Sequence, residues 1–487
     1  MGKIDMNCVG CRATLILLVL GAVILVNLSC SNSDEPTSGD IVGFAVKSGQ
    51  TNHSGITVKL YHEVPPNSQM TSVLRQYGTL GFAITQSCLF DHRAETVLRT
   101  VTTDSTGRFV FQDVNDGDYN IVADNPGYGF RYALEISVNG NEVRPDSMIL
   151  YLIEEPPTLI AENTTWQTGH HYRILQDVQV AEGTTLTIEP GAVIRFAGPI
   201  GYTKIDVRGY LASLGNSNDF VRWIRENTDL PWNQVNIQSS AADQNSIVYN
   251  LFDGGTIGLR CSGSDLSLHS SLFRNCSSSG VSVSDVADFQ TMNCIFMDCT
   301  TGLVCTYSDQ GTIAYSLWYN DGTGISCTTS SFPDIHDNWF ANCAEGIFLQ
   351  NVQPGVGDSL IIEANLIELC GIGIRASGSS FGYFRYNIIR DCDWVAIQIR
   401  PITGGYSQPV IQYNNLTGVG NSRHLLELSL VVNDHDVDAT NNWWGTTNIN
   451  TIENLIYDGR DNGNSATGVV NYIPIRTAPV PGAGISQ

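Results

Sequence analysis

Four residues in the second half of the chain carry side chains that can act as acids, bases or anion ligands: His336, Glu363, Arg385 and Tyr413. A histidine and a tyrosine can exchange a proton, and an arginine can neutralise a uronate carboxylate or hold an anionic sugar. Two further candidates for binding, Asp334 and Tyr383, lie two residues earlier and share a strand face with them. Three interpretations follow: a polysaccharide lyase or glycoside hydrolase, a glycan-binding face without catalysis, or an ordinary solvated surface.

A sequence repeat predicts how these residues are positioned. Similar units start at residues 250, 271, 294, 316, 338, 365, 387, 415 and 442, and a large apolar residue usually follows two places later. Units of about 22 residues are typical of a solenoid, here a right-handed parallel β-helix with three short strands per coil. Equivalent residues then stack about 4.8 Å apart. The four candidates lie two places before a unit start, so we expect them on one outward face over four consecutive coils.

The cysteines follow the same repeat. One column contains Cys276, Cys299, Cys343, Cys370 and Cys392, with Asp321 between the second and third of them, and a second column contains Cys261, Cys305 and Cys327. In other coils these columns hold valine, leucine, alanine or glycine, so each thiol is predicted to pack as a small hydrophobe. Side chains stacked in a column suit neither tetrahedral metal binding nor disulfide geometry.

Two other columns have structural interpretations. Asn275, Asp298, Asn320, Asn342 and Asp391 are predicted to turn the chain in the left-handed conformation and to bond from coil to coil. The apolar residues directly after each unit start are Leu251, Leu272, Ile295, Leu317, Trp339, Leu366 and Ile388. We expect them to turn inward at a bend, and the alternative is an outward apolar stripe for a partner.

Three segments resemble bacterial pectin-lyase-like β-helix proteins. They are TTLTIEPGAVIRF at 184–196 and IDVRGYLASLGN at 205–216, which resemble first coils, and NNWWGTT at 441–447, which resembles a closing segment. The resemblance covers residues 160–475 and implies the fold, which is shared by lyases, hydrolases, epimerases, adhesins and binding proteins. The paired-aspartate motifs of the galacturonase class are missing, and the repeats contain no lysine. Glycan binding or an adhesive or structural role is therefore favoured over polysaccharide-acting enzyme activity.

The segment 41–153 predicts a separate small Greek-key β-sandwich. Alternating apolar residues and the turn DSTG at 104–107 resemble the carboxypeptidase regulatory-like domain, a seven-stranded prealbumin-type fold that implies no catalysis. Residues 65–98 form an insertion that fits this pattern poorly. A proline-containing linker follows at 154–159, and a tail follows the β-helix at 476–487. The fold class is thus all-β, with a sandwich before the β-helix.

The N-terminal residues resemble a bacterial lipoprotein signal. An apolar run at 13–26 precedes Cys30, which the resemblance makes the lipidated residue, so residues 1–29 are the signal peptide and 30–40 a tether. This implies attachment to a membrane through lipid, in the cell envelope, at the outer membrane or on the surface of a Gram-negative bacterium. A net charge of −23 argues against a nucleic-acid partner. The partner expected from the β-helix resemblance and the candidate face is a polysaccharide or surface glycan.

An acidic alternation near the end of the β-helix is the one candidate for a metal site. Asp434, Asp436 and Asp438 share a side of one strand, where calcium could bind, although a solvated acidic edge is favoured. The predicted function needs no cofactor.

Overall fold

The computed structural model describes the strands Thr14–Val19 and Ala22–Asn27, which pair antiparallel, and residues 37–198, 203–227, 230–238, 245–286, 288–308, 311–329, 331–353, 359–400, 407–418, 424–428, 435–462 and 468–486. The predicted lipidation residue Cys30 and the predicted calcium ligand Asp434 lie outside these ranges. Among the helices within them, none has both the length and the apolar character needed to cross a membrane.

The N-terminal module consists of two small sheets. The described strands of one are Ser38–Lys47, Arg108–Asn115 and Met148–Leu150, and those of the other are Thr57–His62, Arg99–Thr102, Gly117–Asp124 and Arg131–Val138. Phe109 and Phe111 are both buried in the shared core, as their spacing predicts, and Val110 between them is only partly buried. Tyr119 from the neighbouring sheet lies in the same core.

Three parallel sheets form the β-helix, and most coils contribute one strand to each sheet, so that sheets A and B have 13 described strands and sheet C has 11. In the described residues, sheet A contains Leu159–Ile160, Val178–Val180, Ile205–Val207, Val235–Gln238, Ile257–Ser262, Ser279–Ser284, Thr301–Thr306, Thr323–Thr328, Glu345–Gln350, Ile372–Ser377, Val395–Arg400, His424–Leu428 and Ile456–Tyr457. Sheet B contains Thr164–Trp166, Thr185–Ile188, Tyr210–Leu214, Asn245–Val248, Leu266–His269, Phe289–Met292, Thr312–Ala314, Asp334–His336, Ile361–Glu363, Tyr383–Arg385, Val410–Gln412, Val437–Asp438 and Val470–Asn471. Sheet C contains His171–Ile174, Val193–Phe196, Val221–Arg225, Asn250–Asp253, Leu272–Arg274, Ile295–Met297, Leu317–Tyr319, Trp339–Ala341, Leu366–Glu368, Ile388–Arg390 and Asn415–Thr417.

The predicted aromatic column forms a stack inside the coils. Phe252, Phe273, Phe296, Trp318 and Phe340 pair in register in sheet C, and neighbouring ring centroids lie 4.7, 5.1, 5.2 and 4.7 Å apart. All of these side chains are fully buried. The separations follow the strand spacing of a parallel sheet, so the repeat places one ring directly above the next. This confirms the predicted register for these coils.

An asparagine ladder runs along the corner where sheet B meets sheet C. Asn338, Asn365, Asn387, Asn414 and Asn442 are all buried, and each side-chain amide of the first four donates to the Oδ1 of the next at 3.0 Å. Each Oδ1 also accepts a backbone N–H from the preceding coil. The buried backbone groups at this corner are thereby satisfied.

The corner after sheet C has the left-handed backbone that its residue types predict. Asn275, Asp298, Asn320, Asn342 and Asp391 have φ between 53° and 58°. Coil-to-coil bonding is also present, because the Asn320 amide donates to Oδ1 of Asp298 at 2.5 Å. Asparagine and aspartate accept this conformation more readily than other side chains with a Cβ, which explains the column.

The cysteine columns are buried and reduced, as predicted. Each cysteine in the described part of the β-helix is free and buried, and Cys261, Val283, Cys305 and Cys327 follow one another in register in sheet A. In the other column, Asp321 replaces a thiol. Its Oδ1 accepts from the Cys299 N–H at 2.8 Å, whereas its buried Oδ2 has no partner.

This carboxyl should make stability depend on pH. Burial, with smaller contributions from Cys343 and Cys299, raises the pKa of Asp321 well above its usual 3.8, so ionisation opposes the folded state. The contribution of Asp321 to stability is present below pH 4 and is lost as the pH rises through the raised pKa. We expect Asp321→Asn to raise the free energy of unfolding by about 1–3 kcal/mol at pH 8 and to change it little at pH 3.5. Urea titrations at both pH values measure this, and an equal effect at both would contradict it.

The apolar stripe beside the aromatic stack points outward and is covered, so the expected inward bend is wrong. Leu251, Leu272, Ile295, Leu317, Trp339 and Leu366 form one buried cluster with residues of the 65–98 insertion. That insertion contains helix α1 (Ser68–Gln76), whose first N–H groups are capped by the Asn67 side chain, and helix α2 (Gln86–Leu89). The N-terminal module therefore supplies the partner that the stripe needs.

Hydrogen bonds fix the insertion to the coils. The Gly81 N–H donates to Tyr315 O at 2.7 Å, and the Asn293 amide donates to Thr79 O at 2.7 Å. A Cβ on Gly81, whose φ is 56°, would lie 2.5 Å from a methyl carbon of Leu317, so only glycine allows this close approach. The insertion is therefore an integral part of the β-helix surface.

The C-terminal residues also return over the coils. The strand Ile456–Tyr457, between helices α3 (Ile449–Glu453) and α4 (Gly459–Asn462), ends sheet A, and the strand Val470–Asn471, after α4, ends sheet B. The tail then runs back: Val480 exchanges hydrogen bonds with the Asn415 amide, the Gly484 N–H donates to Tyr386 O, and the Ser486 N–H donates to Asp337 Oδ1. Ile485 enters the cluster under the insertion.

Candidate functional site

Sheet B places three of the four predicted catalytic residues in one column. His336 pairs in register with Glu363, and Glu363 pairs with Arg385. Each of these side chains is partly exposed on the outer face of the sheet, at 28, 35 and 42%. The two predicted binding residues, Asp334 and Tyr383, lie in the neighbouring outward column on either side of Ile361.

Tyr413 does not continue the column, and its predicted register is wrong by one residue. Gln412 pairs with Arg385, whereas Tyr413 occupies the next corner with a φ of 57° and stacks on Tyr386 at 5.5 Å. The error comes from adjacent asparagines, because Asn414 rather than Asn415 occupies the ladder position in this coil. Leu416 consequently takes the inward position that was assigned to Thr417.

Glu363 and Arg385 bind each other. Nε of Arg385 donates to Oε2 of Glu363 at 2.6 Å. One oxygen of the Glu363 carboxylate is thereby already used within the protein. The pair presents a planar guanidinium and carboxylate at the surface, a combination that suits hydrogen bonding to hydroxyl and carboxylate groups.

His336 is paired with Asp337, a residue that the sequence analysis did not select. Nδ1 of His336 lies 2.8 Å from Oδ2 of Asp337, and the other oxygen of this carboxylate accepts from the Ser486 N–H at 2.7 Å. The hydrogen bond that His336 donates to the Asp337 carboxylate raises the pKa of His336, against the effect of burial. This stabilises the imidazolium form of His336, in which Nε2 can donate a hydrogen bond to a ligand.

The flanking column adds one aromatic ring and one carboxyl group. Tyr383 is 43% exposed beside the half-buried side chains of Ile361 and Val410. Burial raises the pKa of Asp334, while His336 acts in the opposite direction. The whole face thus combines an exposed ring, an ion pair and a histidine on consecutive coils, and this combination can hold a polar ligand lying along the β-helix.

The acidic alternation near the end of the β-helix is occupied by protein hydrogen bonds where it is described. Asp438 accepts from the Gln412 amide at 2.8 Å and from the Thr440 N–H at 3.0 Å, and Asp436 accepts from the Val469 N–H at 2.9 Å. Across the described residues, no group of three or more histidine, cysteine, aspartate or glutamate side chains is arranged to hold a metal ion.

Sequence reasoning missed Asp337, Tyr386 and Gln412. The first two occupy the corner directly before each ladder asparagine, where the backbone has φ values near 55°. The tyrosines of this corner were visible in the sequence, at positions 249, 315, 386 and 413. With the ladder assigned to Asn414 instead of Asn415, the same counting would have identified Gln412 and grouped Tyr413 with Tyr386.

Comparison with known proteins identifies the fold alone. No curated protein and no solved structure matches the chain. The family model described as the right handed beta helix region matches residues 233–359. The three parallel sheets continue the same coil on both sides of that match. The larger part of this all-β chain is therefore a right-handed parallel β-helix, preceded by a small β-domain.

Proposed function

We propose that the protein binds a surface glycan along the outer face of sheet B without catalysing a reaction on it. The observation that carries this proposal is the register of His336, Glu363 and Arg385 on three consecutive coils, next to the exposed ring of Tyr383. Parallel coils repeat about every 4.8 Å, a distance comparable to the length of one sugar unit in a polymer. A chain lying along the β-helix can therefore meet an equivalent contact at each unit.

The pairing of the side chains favours binding over catalysis. Oε2 of Glu363 is already held by Arg385, so the column offers no free carboxylate as a second catalytic group beside His336. General acid and base catalysis needs one free base and one poised acid near the scissile bond. An ion-paired, partly exposed face is better suited to hydrogen bonding of sugar hydroxyls, while Tyr383 can stack on the apolar face of a sugar ring.

The same proposal includes a location outside the cytoplasm. The leader at 1–29 and Cys30 support a lipid anchor, and the acidic net charge supports a partner other than nucleic acid. The N-terminal module, a candidate carboxypeptidase regulatory-like domain, then separates the β-helix from the membrane and covers sheet C. An adhesive or structural role would use the same arrangement.

A glycan array probed with the full chain tests the proposal. We expect Arg385→Gln to weaken binding of the selected glycan at least tenfold, because it removes a charged hydrogen-bond donor. The matched control is Arg390→Gln, which breaks the similar Arg390–Glu368 pair on sheet C and should leave affinity unchanged. Equal losses of glycan affinity in the two variants would show that the outer face of sheet B is not the binding site.

Turnover assays distinguish the enzymatic alternative from glycan binding without catalysis. Uronate polymers are followed by ultraviolet absorbance for unsaturated ends, and other polysaccharides by the appearance of reducing ends. Turnover that is lost in His336→Ala would replace the binding proposal by a lyase or hydrolase at this face.

A further inference from the structure

A cleft lies where the N-terminal module meets the first coils. It has a volume of about 640 Å³ and is lined by the strand Arg131–Val138, the loop 143–148 and residues around Gly191 and Phe220 of the β-helix. This volume lies within the range of small-molecule sites. The cleft is far in sequence from the sheet B face, since its β-helix wall comes from the coils before residue 223.

His171 contributes an unused acceptor to this cleft. Its ring is fully buried, and Nε2 lies 2.9 Å from the carbonyl oxygen of Phe130, to which it donates. Burial holds the pKa of His171 well below its usual value, so the ring is neutral and Nδ1 carries a lone pair. Nδ1 is buried and has no hydrogen-bond partner. A buried acceptor left in this state is costly unless a ligand or water supplies a donor.

Arg131 contributes an unused donor. Its Nε is buried without a partner, and none of the ion pairs among the described residues involves this guanidinium. The main effect of its surroundings is burial, which lowers the pKa of Arg131. Asp219, which also lines the cleft, acts on this pKa in the opposite direction, although it forms no ion pair with Arg131 in the described structure. The charge of this partly buried cation is therefore only partly compensated, and a bound anion would compensate it further.

Arg222 adds a second positive charge to the same cleft. Its guanidinium donates to the backbone oxygens of Phe90 and Ser87 and lies 5.0 Å from the ring of Tyr132. No carboxylate in the described part of the chain forms an ion pair with it. The acidic residues that line the cleft are Glu135, Asp146 and Asp219, all of them exposed or partly exposed. Glu135 already accepts from the Gln86 N–H at 3.0 Å. The buried end of the cleft is therefore positive.

We propose that this cleft binds a small hydroxylated carboxylate of the sugar-acid type. Its carboxylate accepts from Nε–H of Arg131, and a neighbouring hydroxyl donates to Nδ1 of His171. The ligand thereby satisfies both buried groups, and its negative charge compensates Arg131 and Arg222. This site is separate from the sheet B face, so either proposal can fail without the other.

Isothermal titration of the full chain with glucuronate tests the inference. Glucose lacks the carboxylate and acetate lacks the hydroxyls, so we expect each to bind at least tenfold more weakly than glucuronate. Arg131→Met should reduce glucuronate affinity at least tenfold, whereas Arg108→Met, at an exposed position on the opposite sheet of the module, should not. Tyr383→Ala should leave glucuronate binding intact.

The melting temperature distinguishes a binding role from a structural one. Because Arg131 has no ion pair in the described structure, we expect Arg131→Met to melt at the same temperature as the unmodified protein or higher. Glucuronate should raise the melting temperature of the unmodified protein and leave that of Arg131→Met unchanged. Lack of glucuronate binding by the unmodified protein, or a lower melting temperature in Arg131→Met, would overturn the assignment.

Discussion

Replacing Asn365 by alanine should lower the free energy of unfolding by about 2–4 kcal/mol, as measured by urea denaturation. The Asn365 amide donates to Ile335 O, Glu363 O and Asn387 Oδ1 at 2.9, 2.9 and 3.0 Å. Its Oδ1 accepts the backbone N–H and the side-chain amide of Asn338, both at 3.0 Å. Alanine removes all of these partners at a fully buried position and leaves polar groups of two neighbouring coils unsatisfied.

Serine at the same position is the matched control. Ser316 occupies the equivalent place in another coil, where its hydroxyl oxygen accepts the Cys294 N–H at 3.0 Å. Asn365→Ser keeps such an acceptor and loses the amide donors, so its loss of stability should fall between those of alanine and the unmodified protein. If both variants lose less than about 1 kcal/mol, the ladder is not a main source of stability.

The second large effect is expected when the cover over sheet C is disrupted. Met70 on helix α1 is 2% exposed and packs in the cluster with the apolar stripe. An aspartate at this position would bury a charge without a partner, so the insertion should separate from the coils or the protein should lose at least about 3 kcal/mol. Met70→Asp should then show increased binding of an apolar fluorescent dye, earlier elution as aggregates on size exclusion and a lower melting temperature.

Arg75→Asp provides the control because Arg75 lies on the exposed side of the same helix. It introduces the same residue type into the same helix without contacting the stripe. We expect dye binding and elution to remain as in the unmodified protein. Comparable dye binding by the two variants would mean that helix α1 is not a necessary cover.

The sequence repeat was sufficient to predict the β-helix because a solenoid requires each side chain to resemble the one above it. The aromatic stack, the cysteine columns and the left-handed corners all follow from that requirement, and all are present. The ladder position that was assigned to Asn415 and is occupied by Asn414 shows the limit of counting repeats. Two adjacent asparagines have the same type, and only the hydrogen bonds of the ladder distinguish them.

The repeat could not predict that the 65–98 insertion covers the apolar stripe on sheet C. An apolar residue that faces outward looks the same in a sequence as one that turns inward, and the residues that bury this stripe lie in the other module. The candidate face was predicted in part for a related reason. Column membership follows from the repeat, whereas the pairing of His336 with Asp337 depends on a corner and on the tail residue Ser486.

The insertion and the tail change how the coils depend on one another. In a simple solenoid each coil contacts only its neighbours, so the array can fray progressively from an end. Here the insertion contacts the stripe from Leu251 to Leu366, and the tail contacts residues from Asn415 back to Asp337. The insertion and the tail therefore each span several coils, and the regions that they contact overlap near Trp339. We expect such long-range ties to couple the central coils into one cooperative unit that unfolds in a single transition instead of coil by coil.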